Sequence, residues 1–229
     1  MKKFIYIAAT ALLCASCIHV NTNYTGGKRV IKGEGEVVSK TFDLRDFDAI
    51  VINGHGDVTF TQSSIYEVTV RTQENILEWL DYKVEGKTLI LEPKDHREIR
   101  ATTYNLVIQA PDLRRIEVNG ASDFDIPAGL MTQGDFDIEV NGAGDLNFNH
   151  IVCKSCSLQV NGAADANLTD LDILTSLKVV INGAGDAVIT GVADRASFEV
   201  NGAGGIDATG LKVAGDVQKH AAGIAKIKL

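Results

Sequence analysis

The sequence predicts an all-β protein built as a β-solenoid, and two observations predict this fold. A five-residue box recurs as NGASD, NGAGD, NGAAD, NGAGD and NGAGG, starting at residues 119, 141, 161, 182 and 201. These starts are 22, 20, 21 and 19 residues apart, and a period of this length is typical of stacked supersecondary units. Between the boxes, apolar and polar residues alternate as they do along a half-buried β-strand.

The alternation continues through the boxes, where the glycines take the apolar positions. Around the second box the series is Phe136, Ile138, Val140, Gly142, Gly144, Leu146 and Phe148. The repeats contain no helical periodicity, so each is predicted to form one coil stacked on the last, about 19–22 residues long. If this parity holds, the glycines face inward, where a Cβ would collide, although a glycine with positive φ can reverse the parity.

Two further copies of the box extend the repeat. NGHGD begins at Asn53, 66 residues before Asn119, which leaves room for two turns without a box. A worn copy, HAAG, begins at His220, 19 residues after Asn201. In the fifth box Gly205 replaces the aspartate, which suits a coil near the end of a stack.

Stacking places equivalent residues of successive coils about 4.8 Å apart. The first residue of each box is therefore predicted to join a ladder in which side-chain amides hydrogen-bond from coil to coil. This ladder comprises Asn53, Asn119, Asn141, Asn161, Asn182 and Asn201.

The last residue of most boxes predicts an aspartate row, made of Asp57, Asp123, Asp145, Asp165 and Asp186. Like charges at this spacing repel by roughly 1 kcal/mol in water. The carboxylates are therefore expected to splay into solvent, to cap N–H groups, or to share cations. One aspartate per coil supplies fewer oxygens than the roughly six to eight that Ca²⁺ prefers, so the row is a weak metal candidate and no cofactor is predicted.

The first residues have the features of an export signal: two lysines, an apolar run over 4–14, and small residues before Cys17. The apolar run is too short to span about 30 Å of hydrocarbon as a helix. Cys17 resembles the acylated cysteine of bacterial lipoproteins, although Leu13 lies one place early for that motif; plain secretion is the alternative. Residues 1–16 are predicted to be a signal peptide, 17–32 a lipidated tether, and 33–229 the solenoid.

The segment after the tether carries a more specific pattern. It contains GEGEV at 33–37, FDAIVINGHGDV at 47–58, ENILEWL at 74–80 and VEGKTLIL at 84–91, followed by the tandem boxes. This combination resembles the DUF2807 family, also called the "putative auto-transporter adhesin, head GIN domain", over about residues 33–229. The resemblance implies a right-handed parallel β-helix in a bacterial envelope protein, and it implies no catalytic residues.

One short helix is expected within this segment. Residues 73–82 place Ile76, Leu77 and Leu80 on one helical face, which would cover the solenoid near its first coils. Trp79 is expected to pack against the body rather than to serve as a ligand platform. The polar run 93–103 is expected to form a projecting loop before a strand at 104–109.

Cys153 and Cys156 form CKSC between two boxes. Redox-active pairs of this spacing lie at a helix N-terminus, which lowers the thiol pKa, and no helix is predicted here. A local disulfide is expected in an exported protein, with two free thiols as the alternative. No four-ligand zinc cluster is present in the sequence.

Other catalytic patterns are scarce, so the protein is predicted not to be an enzyme. The five histidines lack HExxH spacing, and neither a GxSxG motif nor a phosphate loop occurs. Asp135 and Asp137 provide the carboxylate pair of a glycosidase, but coils this short leave little chain to wall a substrate cleft. A net charge of −8 without a basic patch predicts no nucleic-acid binding.

The predicted function is that of a non-enzymatic, lipid-anchored β-solenoid of the cell envelope, acting in adhesion or binding. Its predicted partners are the membrane, through the anchor, and a glycan or an envelope protein. The alternative is a periplasmic scaffold that self-associates through residues 221–229, which are apolar on alternate positions. A polysaccharide-active enzyme comes third. An outer-membrane lipoprotein is expected, and the absence of an acidic run after Cys17 slightly favours the periplasmic side.

Overall fold

The computed structural model describes residues 30–229. The predicted signal peptide, Cys17 and most of the predicted tether lie outside these residues. The strands are β1 (Ile31–Lys32), β2 (Val37–Phe42), β3 (Ala49–Gln62), β4 (Glu67–Gln73), β5 (Leu80–Glu85), β6 (Thr88–Pro93), β7 (Ile99–Arg100), β8 (Tyr104–Ala110), β9 (Arg115–Ile126), β10 (Leu130–Met131), β11 (Asp135–Asn149), β12 (Ile151–Gly183), β13 (Asp186–Gly202), β14 (Gly205–Val213), β15 (Val217–Gly223) and β16 (Lys226–Lys228). Two 3-10 helices cover Glu74–Trp79 and Lys94–His96.

The main sheet is a parallel β-solenoid of about five turns, which confirms the predicted fold class. Strands β3, β9, β11, β12 and β13 stack in that order through parallel pairing. Strand β12 has 33 residues and passes through more than one coil. The side chains of its own residues Asn161 and Asn182 therefore hydrogen-bond to each other.

The core lies inside the coils, and the period-2 pattern explains it. Apolar residues alternate with polar ones along each strand, so every second side chain enters the interior. The register then stacks these side chains in columns, one of which contains Ile50, Ile116, Ile138, Leu158, Val179 and Phe198, all buried. Each such side chain contributes about 1.5–3 kcal/mol by its removal from water.

The chain between the first two boxes corrects the prediction. Asn53 pairs directly with Asn119, so no unmarked turns lie between their coils. The intervening residues form an antiparallel cap instead, with β4 between β2 and β8, and with β5 paired to β6. Strands β6 and β8 then run parallel to the two ends of β3. Alternation predicts a strand but not the direction of its partner, and the spacing alone was therefore misleading.

The predicted helix is present as the 3-10 helix Glu74–Trp79, with Ile76 fully buried. Asn75 ties this helix to the N-terminal segment: its Nδ2 donates to the carbonyl of Lys32, and its Oδ1 accepts from the Glu34 N–H, both at 2.8 Å. The last two residues of the predicted tether form β1, which pairs with β7. The predicted projecting loop is thus held to the body at its middle.

The last coil begins its worn box later than the sequence suggested. Ala222 pairs with Asn201 and Gly223 with Gly202, whereas His220 pairs with Glu199. The register is set by the glycine, which takes the place of the first glycine of each box. Strand β15 lies exposed along its length, and the Ile224 side chain that follows it is 81% exposed.

Candidate functional site

The boxes hold the coils close together through their glycines. A Cβ added to Gly142, whose φ is +156°, would lie 1.9 Å from the carbonyl oxygen of Gly120 on the preceding coil. The clash is with this neighbouring backbone and not with an opposite wall of the same coil. Side-chain parity continues through the box, because Ala143 is exposed whereas Ala164, which replaces a second glycine, is buried.

The six box asparagines form a continuous ladder in the structure. From Asn119 onward, each Nδ2 donates to the Oδ1 of the asparagine one coil earlier, over 2.9–3.0 Å. At three rungs Nδ2 also donates to a glutamate of its own coil, namely Glu117, Glu139 or Glu199. The ladder uses its donors internally and is half-buried, so it acts as a structural spine rather than as a ligand surface.

Glu117 shows how charge is accommodated beside this ladder. Its two carboxylate oxygens accept from Asn119 at 2.8 Å and from Arg115 at 2.9 Å. The hydrogen bond from Asn119, followed by that from Arg115, holds the pKa of Glu117 below its usual value. Arg115 also contacts Glu139 at 3.0 Å, so one guanidinium bridges the glutamates of two coils.

The aspartate row caps backbone groups of the following coil. Asp123 Oδ1 accepts from the N–H of Asp145, and Asp165 Oδ1 from the N–H of Asp186, both at 2.9 Å. Capping is one of the three outcomes expected for Asp57, Asp123, Asp145, Asp165 and Asp186. Within residues 30–229, no three His, Cys, Asp or Glu side chains are grouped to hold a metal ion.

A second polar ladder lies two residues after the aspartate row. Asn147 Nδ2 donates to Asp125 Oδ1 at 2.9 Å, and Asn167 Nδ2 donates to Asn147 Oδ1 at 3.0 Å. These three side chains line an open groove of about 470 Å³, which Phe148 and Pro127 also border. This ladder was not predicted from the sequence, although the signal was present: the boxes continue as DFD, DLN and DAN. The row of polar side chains ends at Val188.

The cysteine pair corrects another prediction. Cys153 and Cys156 are buried free thiols, so the expected disulfide is absent and the free-thiol alternative holds. Between them Lys154 is exposed and Ser155 half-buried, which lets both thiols enter the core. A hydrogen bond with Cys153, followed by burial, raises the pKa of Cys156 well above its usual value. A protonated, buried thiol is unreactive, so the pair serves as core packing.

The remaining sequence candidates do not converge on a catalytic centre. Asp135 and Asp137 project from the same exposed face of β11, where their neighbours on the next coil are Ser155 and Ser157. Trp79 is half-buried beneath the guanidinium of Arg97, 4.3 Å from the ring centre, as a packing role requires. In the part of the chain that the structure describes, no helix is long and apolar enough to cross a membrane.

Solved structures share this fold at low sequence identity. A "putative adhesin" from Bacteroides fragilis aligns with a TM-score of 0.68 at 21% identity, covering 86% of this chain and 99% of its own. A "putative lipid binding protein" from Parabacteroides distasonis aligns with a TM-score of 0.73 at 19% identity, covering 87% of this chain and 100% of its own. At these identities the likeness shows the fold alone. No curated protein matches the chain.

A family model covers most of the chain. The model described as "Putative auto-transporter adhesin, head GIN domain" matches residues 46–229. This range begins shortly after Gly33, where the sequence pattern starts, and it contains every box together with the antiparallel strands β4 to β8. The chain therefore belongs to the DUF2807 family.

Proposed function

We propose that this protein is a non-enzymatic, lipid-anchored β-solenoid of the cell envelope that binds a hydroxyl-rich glycan along the groove at Asn147. The observation that carries this proposal is the exposed ladder of Asp125, Asn147 and Asn167. Its donors and acceptors recur at the coil spacing of about 4.8 Å. A polysaccharide also repeats its polar groups along its length, so equivalent hydrogen bonds can form at successive coils.

The ladder keeps hydrogen-bonding capacity for a ligand. A carboxamide has two N–H donors and an oxygen that accepts two bonds. In the described part of the chain, Asn167 donates to Asn147 and its oxygen accepts no bond, because Val188 occupies the next rung. Asn167 therefore presents both a donor and an acceptor to the groove.

The groove combines this polar edge with small apolar surfaces. Phe148 lies at its floor and Pro127 at its border, and such surfaces suit the C–H face of a sugar ring. The lining side chains stand on paired strands, so little conformational entropy is lost when a ligand binds. The groove is open to solvent, which suits an extended chain more than a small enclosed molecule.

The family and the similar structures agree with a binding role. They are named as adhesins or, in one case, as a lipid-binding protein. The interior of this solenoid is filled by its own apolar side chains, Phe124, Phe136 and Phe148 among them. This filling favours a polar ligand on the outer surface over an acyl chain inside the coils.

Replacing groove asparagines with valine tests the binding site. Asn147→Val and Asn167→Val are expected to fold normally, because Val188 already occupies this position one coil later. Each variant is expected to lose about tenfold in affinity for the glycans that the unmodified protein selects on a glycan array, since each removes hydrogen bonds. Ser157→Val, on another face of the same coil, is the matched control. Unchanged glycan binding in both groove variants would reject the groove as the site.

The position in the envelope is tested separately by protease treatment of intact cells. An epitope inserted within residues 93–103 is expected to be cleaved while a periplasmic marker protein survives, because an adhesion module must face outward. Cleavage only after the outer membrane is breached would contradict adhesion. It would favour the periplasmic scaffold that self-associates through its last coil.

A further inference from the structure

A second cleft lies at the opposite end of the solenoid from the worn box, where the first coil departs from the repeat. Five of the six boxes carry alanine at their third position, namely Ala121, Ala143, Ala163, Ala184 and Ala203. The first box carries His55 there instead. Because this position faces outward in the other coils, the imidazole stands on the outer side of the first coil.

The chain that follows β6 folds back over this box. Pro93 lies 3.7 Å from the place that a Cβ on Gly54 would occupy, so the segment 93–99 sits directly against the first coil. A cleft of about 320 Å³ remains between them, lined by Asn53, His55, His96, Arg97 and Glu98 among others. This volume falls within the range of small-molecule sites.

Hydrogen-bond donors in the cleft retain free capacity. Within residues 30–229, neither His55 nor His96 has a side-chain hydrogen bond. Arg97 has one, from Nη2 to Asp95 Oδ2 at 3.3 Å, and its other guanidinium nitrogens are free to donate. The guanidinium is fixed in place by Trp79, over which it stacks at 4.3 Å. These side chains thus form an oriented set of donors.

The acidic group of the cleft is already engaged. Glu98 Oε1 accepts from Arg100 Nε at 2.6 Å, so its charge is neutralised on the outer side of the segment. Tyr104 packs edge-on against the His55 ring, with the ring centres 5.4 Å apart, and fixes its orientation. Partial burial lowers the pKa of His55, against the opposing influence of Glu98 and Asp57, so the ring is neutral at pH 7 and offers one N–H.

From this arrangement we infer that the cleft binds a small organic carboxylate. The guanidinium of Arg97 supplies the positive charge and a planar fork that matches a carboxylate. The imidazoles of His55 and His96 supply further hydrogen bonds to the polar groups beside it. This site is distinct from the groove at Asn147, and it does not depend on glycan binding there.

Calorimetric titration of the full chain with D-glucuronate tests the site, with D-glucose as the uncharged probe of similar size. Glucuronate is expected to bind saturably, and glucose at least about tenfold more weakly, because it lacks the charged acceptor. His55→Ala restores the alanine of the other boxes, so the fold should tolerate it, and an affinity loss of about tenfold is expected. Arg97→Gln is expected to lose at least as much.

Two control variants show whether the loss of affinity is local to the cleft. His220→Ala, which replaces an exposed histidine on the last coil, and Asn147→Val, in the groove, are both expected to leave glucuronate affinity unchanged. A melting temperature of His55→Ala equal to that of the unmodified protein would exclude unfolding as the cause of its loss. Absence of saturable glucuronate binding, equal binding of glucose, or full affinity in both His55→Ala and Arg97→Gln would overturn the proposal.

Discussion

Replacing Gly142 with alanine is expected to destabilise the solenoid by about 3 kcal/mol or more. The new Cβ would lie 1.9 Å from the carbonyl oxygen of Gly120, well inside van der Waals contact. That oxygen belongs to the backbone of a paired strand, so it can move only if the coils separate. The φ of +156° adds strain for any L-residue. Urea unfolding monitored by circular dichroism measures the loss.

Gly54 provides a matched control for the clash. It occupies the same position of the first box and has a similar φ of +145°, but its Cβ would meet nothing nearer than Pro93 at 3.7 Å. Gly54→Ala is therefore expected to cost only the conformational strain, roughly 1 kcal/mol. Equal losses for the two variants would show that φ, and not the approach of neighbouring coils, is what requires glycine.

The same clash explains which part of the fold could be predicted from the sequence. Each box needs glycine because a backbone of equal shape lies beneath it, and the repetition of that requirement produces the period visible in the sequence. The asparagines follow for the same reason, since an amide can both donate and accept between identical neighbours. Solenoid, coil length and ladder were thus accessible from one repeated constraint.

Features without a repeated constraint were less accessible. The cap of β4, β5, β6 and β8 occurs once, and its pairing depends on long-range contacts that alternation does not encode. The pair Cys153 and Cys156 faces inward because of the local course of the chain, which the spacing alone does not show. The cleft at His55 requires residues 93–99 to meet the first coil, a contact visible only in the folded chain.

The groove occupies an intermediate place. Its residues Asp125, Asn147 and Asn167 lie on the same coils as the boxes and obey the same register, so their stacking follows from the period. They were missed because their identities vary from Asp to Asn and then to Val188. That variation suits a binding surface, since a purely structural row such as the box asparagines keeps one residue type.

Replacing Asn161 with alanine is expected to cost about 2 kcal/mol, the second largest effect of a single substitution. Asn161 lies in the interior of the ladder: it donates to Asn141 Oδ1 and accepts from Asn182 Nδ2, each at 2.9 Å. Alanine leaves both partners without their bond in a half-buried row, where water replaces it only in part. Urea unfolding gives the free energy, and its slope reports how much surface unfolds together.

Asn201 is the matched control because it ends the ladder. It donates to Asn182 at 3.0 Å, and the next rung is already Ala222, so Asn201→Ala removes a single inter-coil bond and is expected to cost about 1 kcal/mol. The interior substitution also weakens the coupling of the coils on either side. Because solenoid stability is a sum of repeat and interface terms, Asn161→Ala is expected to lower the slope as well as the midpoint. If the two substitutions cost the same and leave the slope unchanged, the ladder does not couple the coils, and their cohesion comes from the backbone and the core.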